Sequence, residues 1–301
     1  MTSTTRPAVS VVIPAYESQR TLAGCLEAIS RQTFQDFETV VVDSSPGEAA
    51  ESTRRIVEGF TAVRFERSEQ RLLPHAARNL GVARSRGELL AFTDPDVYAR
   101  PDWLERLVAA HRATGEPVVG ALACHGGRWL DQGVHLCKFS KWLPGGPPRE
   151  VDMSPTANML LPRRQFEAAG GFPGDQFLGD VTLSRSLRRQ GHRLGFEPRA
   201  VVAHHHLHTL GSFVAERYTR GRMYGHLRLD GTGAGRGAAL GWLAVTLPPV
   251  RLARILALVG LHASRAGQTG RCLATLPLVA VGHAASLAGE AAAYFQRLRF
   301  P

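Results

Sequence analysis

Across the first 210 residues, short β-branched apolar runs alternate with stretches whose apolar residues recur at helical spacing. Residues 9–14 (VSVVIP) and 37–43 (FETVVVD) read as buried strands, as do residues 62–66, 89–93, 118–123, 159–161 and 194–203. Helical periodicity fills the intervals at residues 21–32, 50–60, 76–85, 101–114, 164–169 and 181–190. In the first of these, Leu22, Cys25, Leu26 and Ile29 share a face. This rhythm predicts an α/β fold, a Rossmann-like parallel or mixed sheet with helices on both faces. The Gly/Pro-rich residues 126–148, which include Trp129 and Trp142, read as a long functional loop.

The texture changes after His208. Residues 212–227 read as a basic amphipathic helix, residues 231–237 as a Gly-rich break, and residues 238–263 and 272–293 as long apolar segments interrupted by proline, arginine or histidine. Of a formal net charge of +10, most lies here: residues 211–301 carry eleven arginines against Glu216, Asp230 and Glu290. Two domains are therefore expected, residues 1–210 and a basic, apolar helical extension at 211–301. The extension suits an anionic membrane interface better than a clean span. A helical hairpin packed on protein is the plain structural reading of the same pattern.

Residues 1–8 lack an apolar signal core, so the first domain is expected in the cytoplasm. Cys25, Cys124, Cys137 and Cys272 form no Cys-x-x-Cys pair and are expected as reduced, mostly buried thiols.

The chemistry concentrates at strand ends. The run Leu89–Thr93 finishes in Asp94-Pro95-Asp96. Two carboxylates at a strand end suit Mg²⁺ or Mn²⁺ and, through the ion, a diphosphate; Asp-Pro-Asp is also ordinary turn chemistry. Other features stand in order around it: Pro14-Ala15-Tyr16-Glu17 after the first strand, Asp43-Ser44-Ser45 after the second, then Ala77-Arg78-Asn79-Leu80-Gly81. Further on come Gly170-Gly171-Phe172, Phe177-Leu178-Gly179-Asp180, and a strand running to His204-His205-His206-Leu207-His208. In an extended chain His204, His206 and His208 share a face.

This order resembles the family-2 glycosyltransferases, inverting enzymes of the GT-A fold, over roughly residues 8–210. More loosely, residues 211–301 resemble the apolar helical extension of membrane-associated members. The resemblance implies that Pro14, Ala15, Tyr16, Glu17 and Asp43 hold the nucleotide. It implies Asp96 as direct ligand of Mn²⁺ or Mg²⁺, Asp94 as contact to ribose or metal-bound water, and His204 as completing the metal site. Asp180 would be the catalytic base, and Arg78 would approach the diphosphate. Gly170 and Gly171 would shape the acceptor floor, and Trp129 would stack on acceptor or simply pack. Glu17 stands where relatives commonly carry Asn, and Gly179 where they often carry Glu.

The implied partners are a nucleotide-diphosphate sugar, a UDP-sugar first, and a cell-envelope glycan or lipid-linked acceptor, with catalysis at the cytoplasmic face of a membrane and no nucleic acid. A nucleotidyltransferase would use the same acids, but normally shows a Gly-rich phosphate loop that Pro14–Ser18 lacks. A non-catalytic basic membrane- or nucleic-acid-binding protein would explain the charge but not the acids.

Overall fold

Val9–Ala15 (β1) and Phe37–Asp43 (β2) are strands built on the β-branched runs Val11-Val12-Ile13 and Thr39-Val40-Val41-Val42, which are buried on both faces. The computed structural model describes residues 6–174, 178–230, 236–246 and 249–299. It divides into two compact units, one comprising residues 1–123 and 146–205, the other Cys124–Gly145 with His206–Pro301.

In the first unit the elements follow in order: β1, α1 (Leu22–Ser30), β2, α2 (Gly47–Glu58), β3 (Val63–Arg67), α3 (Pro74–Arg84), β4 (Leu89–Thr93), β5 (Val97–Ala99) and α4 (Trp103–Thr114). The strand β6 (Val118–His125) runs to the boundary, and α5 (Trp129–Phe139) lies in the second unit. The first resumes with β7 (Arg149–Val151), β8 (Asn158–Pro162), α6 (Arg163–Ala168), α7 (Gly179–Arg189) and β9 (Leu194–His205). The strands form one sheet in the order β3-β2-β1-β4-β8-β6-β9-β5, with β7 also on β9. Strands β3, β2, β1 and β4 are mutually parallel, whereas β8 runs antiparallel to β4. The strand order turns back between β1 and β4, which opens a crevice beyond their carboxyl ends. This is the mixed α/β sheet expected, and Leu22, Cys25, Leu26 and Ile29 are indeed the buried face of α1.

One polar residue holds the centre. Asn158 is fully buried; its amide donates to the carbonyls of Ala121 and Ala200, both at 2.9 Å, and its carbonyl accepts the Trp103 indole N–H at 2.8 Å. It thereby pins β6, β9 and α4 to β8 with every group partnered, the condition under which a buried amide stabilises.

The second unit holds α5, a 3-10 turn at Ser140–Trp142, α8 (Leu210–Asp230), α9 (Arg236–Thr246), α10 (Pro249–Arg265) and α11 (Thr269–Arg299). Residues 126–148, expected as a loop, thus contain a helix whose Val134, Leu136 and Cys137 pack with Phe213, Val259 and Leu278. Except for Gly133, which is buried within α5, the glycines and prolines of that stretch flank the helix, and its apolar spacing is what the loop reading underweighted. The expected division at residue 210 differs accordingly: Cys124–Gly145 groups with the helices, and the change of unit falls at His206.

Helix α8 contains the expected helical residues 212–227. It buries Phe213, Gly221, Gly225 and Leu229, a narrow stripe rather than a broad apolar face. A Cβ on Gly221 would lie 1.9 Å from the Ser286 carbonyl oxygen, and one on Gly289 would lie 2.0 Å from that of Tyr218. Only glycine allows α8 and α11 this backbone approach, the small-residue packing common between helices in lipid. Most of the Gly-rich break lies outside the described residues. The apolar residues 238–263 resolve into α9 and α10 rather than one segment. Helix α11, despite Pro277, is long and apolar enough to cross a membrane. It also carries the buried Glu290, ion-paired with Arg228 of α8 and with Arg251 of α10 at 2.8 Å.

Candidate active site

The carboxyl ends of β1 and β2 are tied by side chains. In register, Ala15 stands opposite Asp43. Ser45 Oγ donates to Asp43 Oδ1 at 2.7 Å and accepts the Glu17 N–H at 2.8 Å, while the Ser45 N–H reaches Asp43 Oδ2 at 3.3 Å. Asp43 is buried, and burial pushes its carboxyl above the usual aspartate value, outweighing these hydrogen bonds and the nearby Arg67. Glu17 sits in the left-handed region at φ 49°, so the turn is bent sharply away from the strand. Its neighbour Tyr16 lies under the Arg71 guanidinium, 4.5 Å from the ring centre, a contact with no local signal in the sequence.

Beyond β4, the Asp-Pro-Asp turn leads directly into β5. That short strand pairs antiparallel with β9, Val97 opposite His204, and the His205 N–H donates to the Asp96 carbonyl at 2.8 Å. The register therefore carries His204 to Asp96 across more than a hundred residues of chain. His204 Nδ1 is 3.8 Å from Asp96 Oδ2, and donor atoms of Asp94, Asp96 and His204 all lie within 4.8 Å of one another. Two ligands each about 2.1 Å from one ion stand at most about 4.2 Å apart, so the Asp96–His204 spacing fits a shared divalent cation. Two carboxylates and an imidazole are donors that Mg²⁺ and Mn²⁺ accept. Asp94 pairs with the buried guanidinium of Arg78 on α3.

Helix α3 serves this region twice more. His75 stacks on Phe172 with ring centres 4.9 Å apart, and Asn79 exchanges hydrogen bonds with the Phe172 backbone, accepting at 3.1 Å and donating at 2.7 Å. A Cβ at residue 179 would lie 2.7 Å from the His75 ring, so the glycine at that point and the histidine fit each other. Asp180 follows in the first turn of α7. The helix is entered through Leu178 at φ 64°, and the Asp180 carboxylate accepts the neighbouring Val181 N–H, at 3.0 Å. It is half-buried and is not the helix cap. Phe177, part of the same motif, lies outside the described residues.

The remaining expected site residues lie on α5, at the end of α6 and along the histidine run. Gly170 and Gly171 take φ 85° and 68°, with the Gly171 N–H returning to the Phe166 carbonyl at 2.9 Å. They end α6 in left-handed conformation. Trp129 begins α5 in the helical unit, where its indole N–H donates to the Ala274 carbonyl at 2.8 Å. Of the histidine run, His205 meets the Tyr98 hydroxyl at 3.1 Å and His208 meets Glu216 at 2.7 Å. All four cysteines are free thiols, three of them buried.

The sheet thus opens between β1 and β4, and Asp94, Asp96 and His204 gather beyond the end of β4. The sequence profile of glycosyl transferase family 2 matches residues 10–162, and the chain belongs to that family. It is 27% identical over 230 residues to Glycosyltransferase AglE of Haloferax volcanii, covering 74% of each chain. Among solved structures, the mannosyltransferase PcManGT of Pyrobaculum calidifontis, in complex with GDP-Man and Mn²⁺, superposes with TM-score 0.55 at 21% identity, covering 91% of this chain and 87% of that one. GalNAc-T7, with UDP, GalNAc and Mn²⁺, superposes with TM-score 0.54 at 18% identity; the match spans 68% of this chain and 45% of GalNAc-T7. The chain is thus a glycosyltransferase of GT-A fold with a C-terminal helical portion.

Proposed function

We propose that this enzyme inverts the anomeric centre as it moves a sugar from a nucleoside diphosphate, a UDP-sugar first, to a hydroxyl of a cell-envelope glycan or lipid-linked acceptor. The observation that carries the proposal is the convergence of Asp94, Asp96 and His204 beyond β4. Asp96 and His204 would hold Mn²⁺ or Mg²⁺, and Asp94 would be steered by Arg78 toward ribose or metal-bound water. The bound ion would offset the charge gathering on the diphosphate as it leaves. Pro14 and Ala15 end β1, and Tyr16, Glu17 and Asp43 form the nucleotide platform, with Ser45 holding Glu17 and Asp43 in place.

Asp180 is the proposed base. Its carboxylate takes the acceptor hydroxyl proton while the acceptor oxygen bonds to the anomeric carbon; the bond from that carbon to the diphosphate oxygen breaks, and its electron pair leaves with the diphosphate. The basic helical unit, with exposed Leu273, Val281 and Phe295 on α11, would place catalysis at the cytoplasmic face of a membrane.

The test is transfer from a panel of nucleotide sugars to lipid-linked acceptors, with the product anomer read by NMR. The expected result is an inverted product, with turnover lost in Asp180→Asn while nucleotide affinity is kept. A retained anomer, or near-normal turnover of the variant, would refute the mechanism.

A further inference from the structure

The histidine run contributes to more than one cluster. His204 joins the aspartates, whereas His206, which opens the helical unit, meets side chains of that unit. His206 is fully buried, and its Nε2 lies 3.1 Å from Nδ1 of the buried His135 on α5. Cys124, near the end of β6, brings its sulfur to the same point: donor atoms of Cys124, His135 and His206 all lie within 4.8 Å of one another. A hydrogen bond between two neutral imidazoles explains one donor and one acceptor. It gives no reason for a thiol to converge on the pair.

We propose that Cys124, His135 and His206 form a second metal site, for a borderline ion of the Zn²⁺ kind, unlike the oxygen-rich Asp94–Asp96–His204 group in its ligands. The donor set decides the ion: thiolate and imidazole suit zinc, whereas carboxylates suit magnesium and manganese. Around a tetrahedral zinc, bond lengths near 2.0–2.1 Å to nitrogen and 2.3 Å to sulfur put donor atoms about 3.3–3.6 Å apart. The imidazole nitrogens are already at 3.1 Å, so a slight spreading of the rings admits the ion. Phe139 lies beside both, its ring centre 5.4 Å from that of His135 and 6.1 Å from that of His206, and lines the site with apolar surface.

Cys124 is only half-buried, so the fourth position is on the open side and would be taken by water. On binding, the Cys124 thiol loses its proton to solvent and coordinates as thiolate. The ion would then join three segments of the helical unit that lie far apart in sequence: residue 124, residue 135 on α5, and residue 206.

The whole chain, stripped with chelator, is titrated with Co²⁺ as a spectroscopic stand-in for zinc. One equivalent should give a thiolate-to-cobalt charge-transfer band in the near ultraviolet, absent in Cys124→Ser and retained in Asp96→Asn. In parallel, Zn²⁺ should protect Cys124 of the unaltered protein from alkylation by N-ethylmaleimide, mapped by peptide mass. No band in the unaltered protein, a band that survives Cys124→Ser, or alkylation of Cys124 indifferent to Zn²⁺ would overturn the site.

Discussion

The sheet unit fills its interior with large side chains such as Trp103, Phe92 and Phe196, and keeps Asp94 and Asp96 half-buried beyond the end of β4. The helical unit does the reverse at its core. It brings backbones of α8 and α11 together through Gly221 and Gly289, and it buries an acid, Glu290, against two arginines. Strand ends leave carboxylates where a ligand can reach them, so charge there can serve chemistry. A carboxylate wedged between helices serves cohesion. Substitutions in the two units should consequently divide between activity and stability.

The largest separation is expected at Asp180. Loss of a positioned base lowers turnover about 10²–10⁴-fold, so Asp180→Asn should do so in a transfer assay while its thermal midpoint stays at the wild-type value. A lowered midpoint would make the aspartate structural. Asn158→Leu is expected to act oppositely. It strands the Trp103 N–H and two carbonyls, each unpaired buried group costing about 1–3 kcal/mol. Denaturant unfolding should register a loss of roughly 3 kcal/mol or more.

In the helical unit, Gly289→Ala drives a methyl into the Tyr218 carbonyl and should cost about 1–3 kcal/mol by the same measurement. Nucleotide affinity of the folded fraction should not change.

The smallest effect sharpens the comparison most, because one residue carries both roles. Burial raises the Asp43 carboxyl above its unfolded value, so the stability it contributes is full below the unfolded value and is lost as pH rises through the folded one. Asp43→Asn should accordingly gain stability over wild type as pH climbs through the carboxylate range, with a constant gain above it. The same variant should bind nucleotide more weakly. A pH-independent stability difference would contradict the assignment of a raised value.

The sheet was legible in the sequence because strands buried on both faces must be almost wholly apolar. The Asp94 and Asp96 pair was legible because a strand end is where such residues meet a ligand. Their neighbours were not. Strand β5 has three residues, too few for a period, yet its register with β9 is what brings His204 to Asp96. Arg78 and Asn79 stand side by side in sequence, but one pairs with Asp94 and the other holds the Phe172 backbone. Nothing local distinguishes them. Helix α5 holds Gly133 and is bordered by further glycines and prolines, and two of the residues that pack α8, Gly221 and Gly225, have no side chain to mark a face. Gly179 read as a departure from the family, and only the ring of His75 beside it explains the choice.

The central claim is that Asp96 and His204 hold a divalent ion which in turn holds a nucleoside diphosphate. Calorimetric titration of UDP, GDP, dTDP and CDP, with and without Mn²⁺, into the wild-type protein and Asp96→Ala tests it directly. The account predicts tight binding of one nucleotide that requires Mn²⁺ and disappears in the variant. Binding indifferent to the metal, or unchanged in Asp96→Ala, would contradict it.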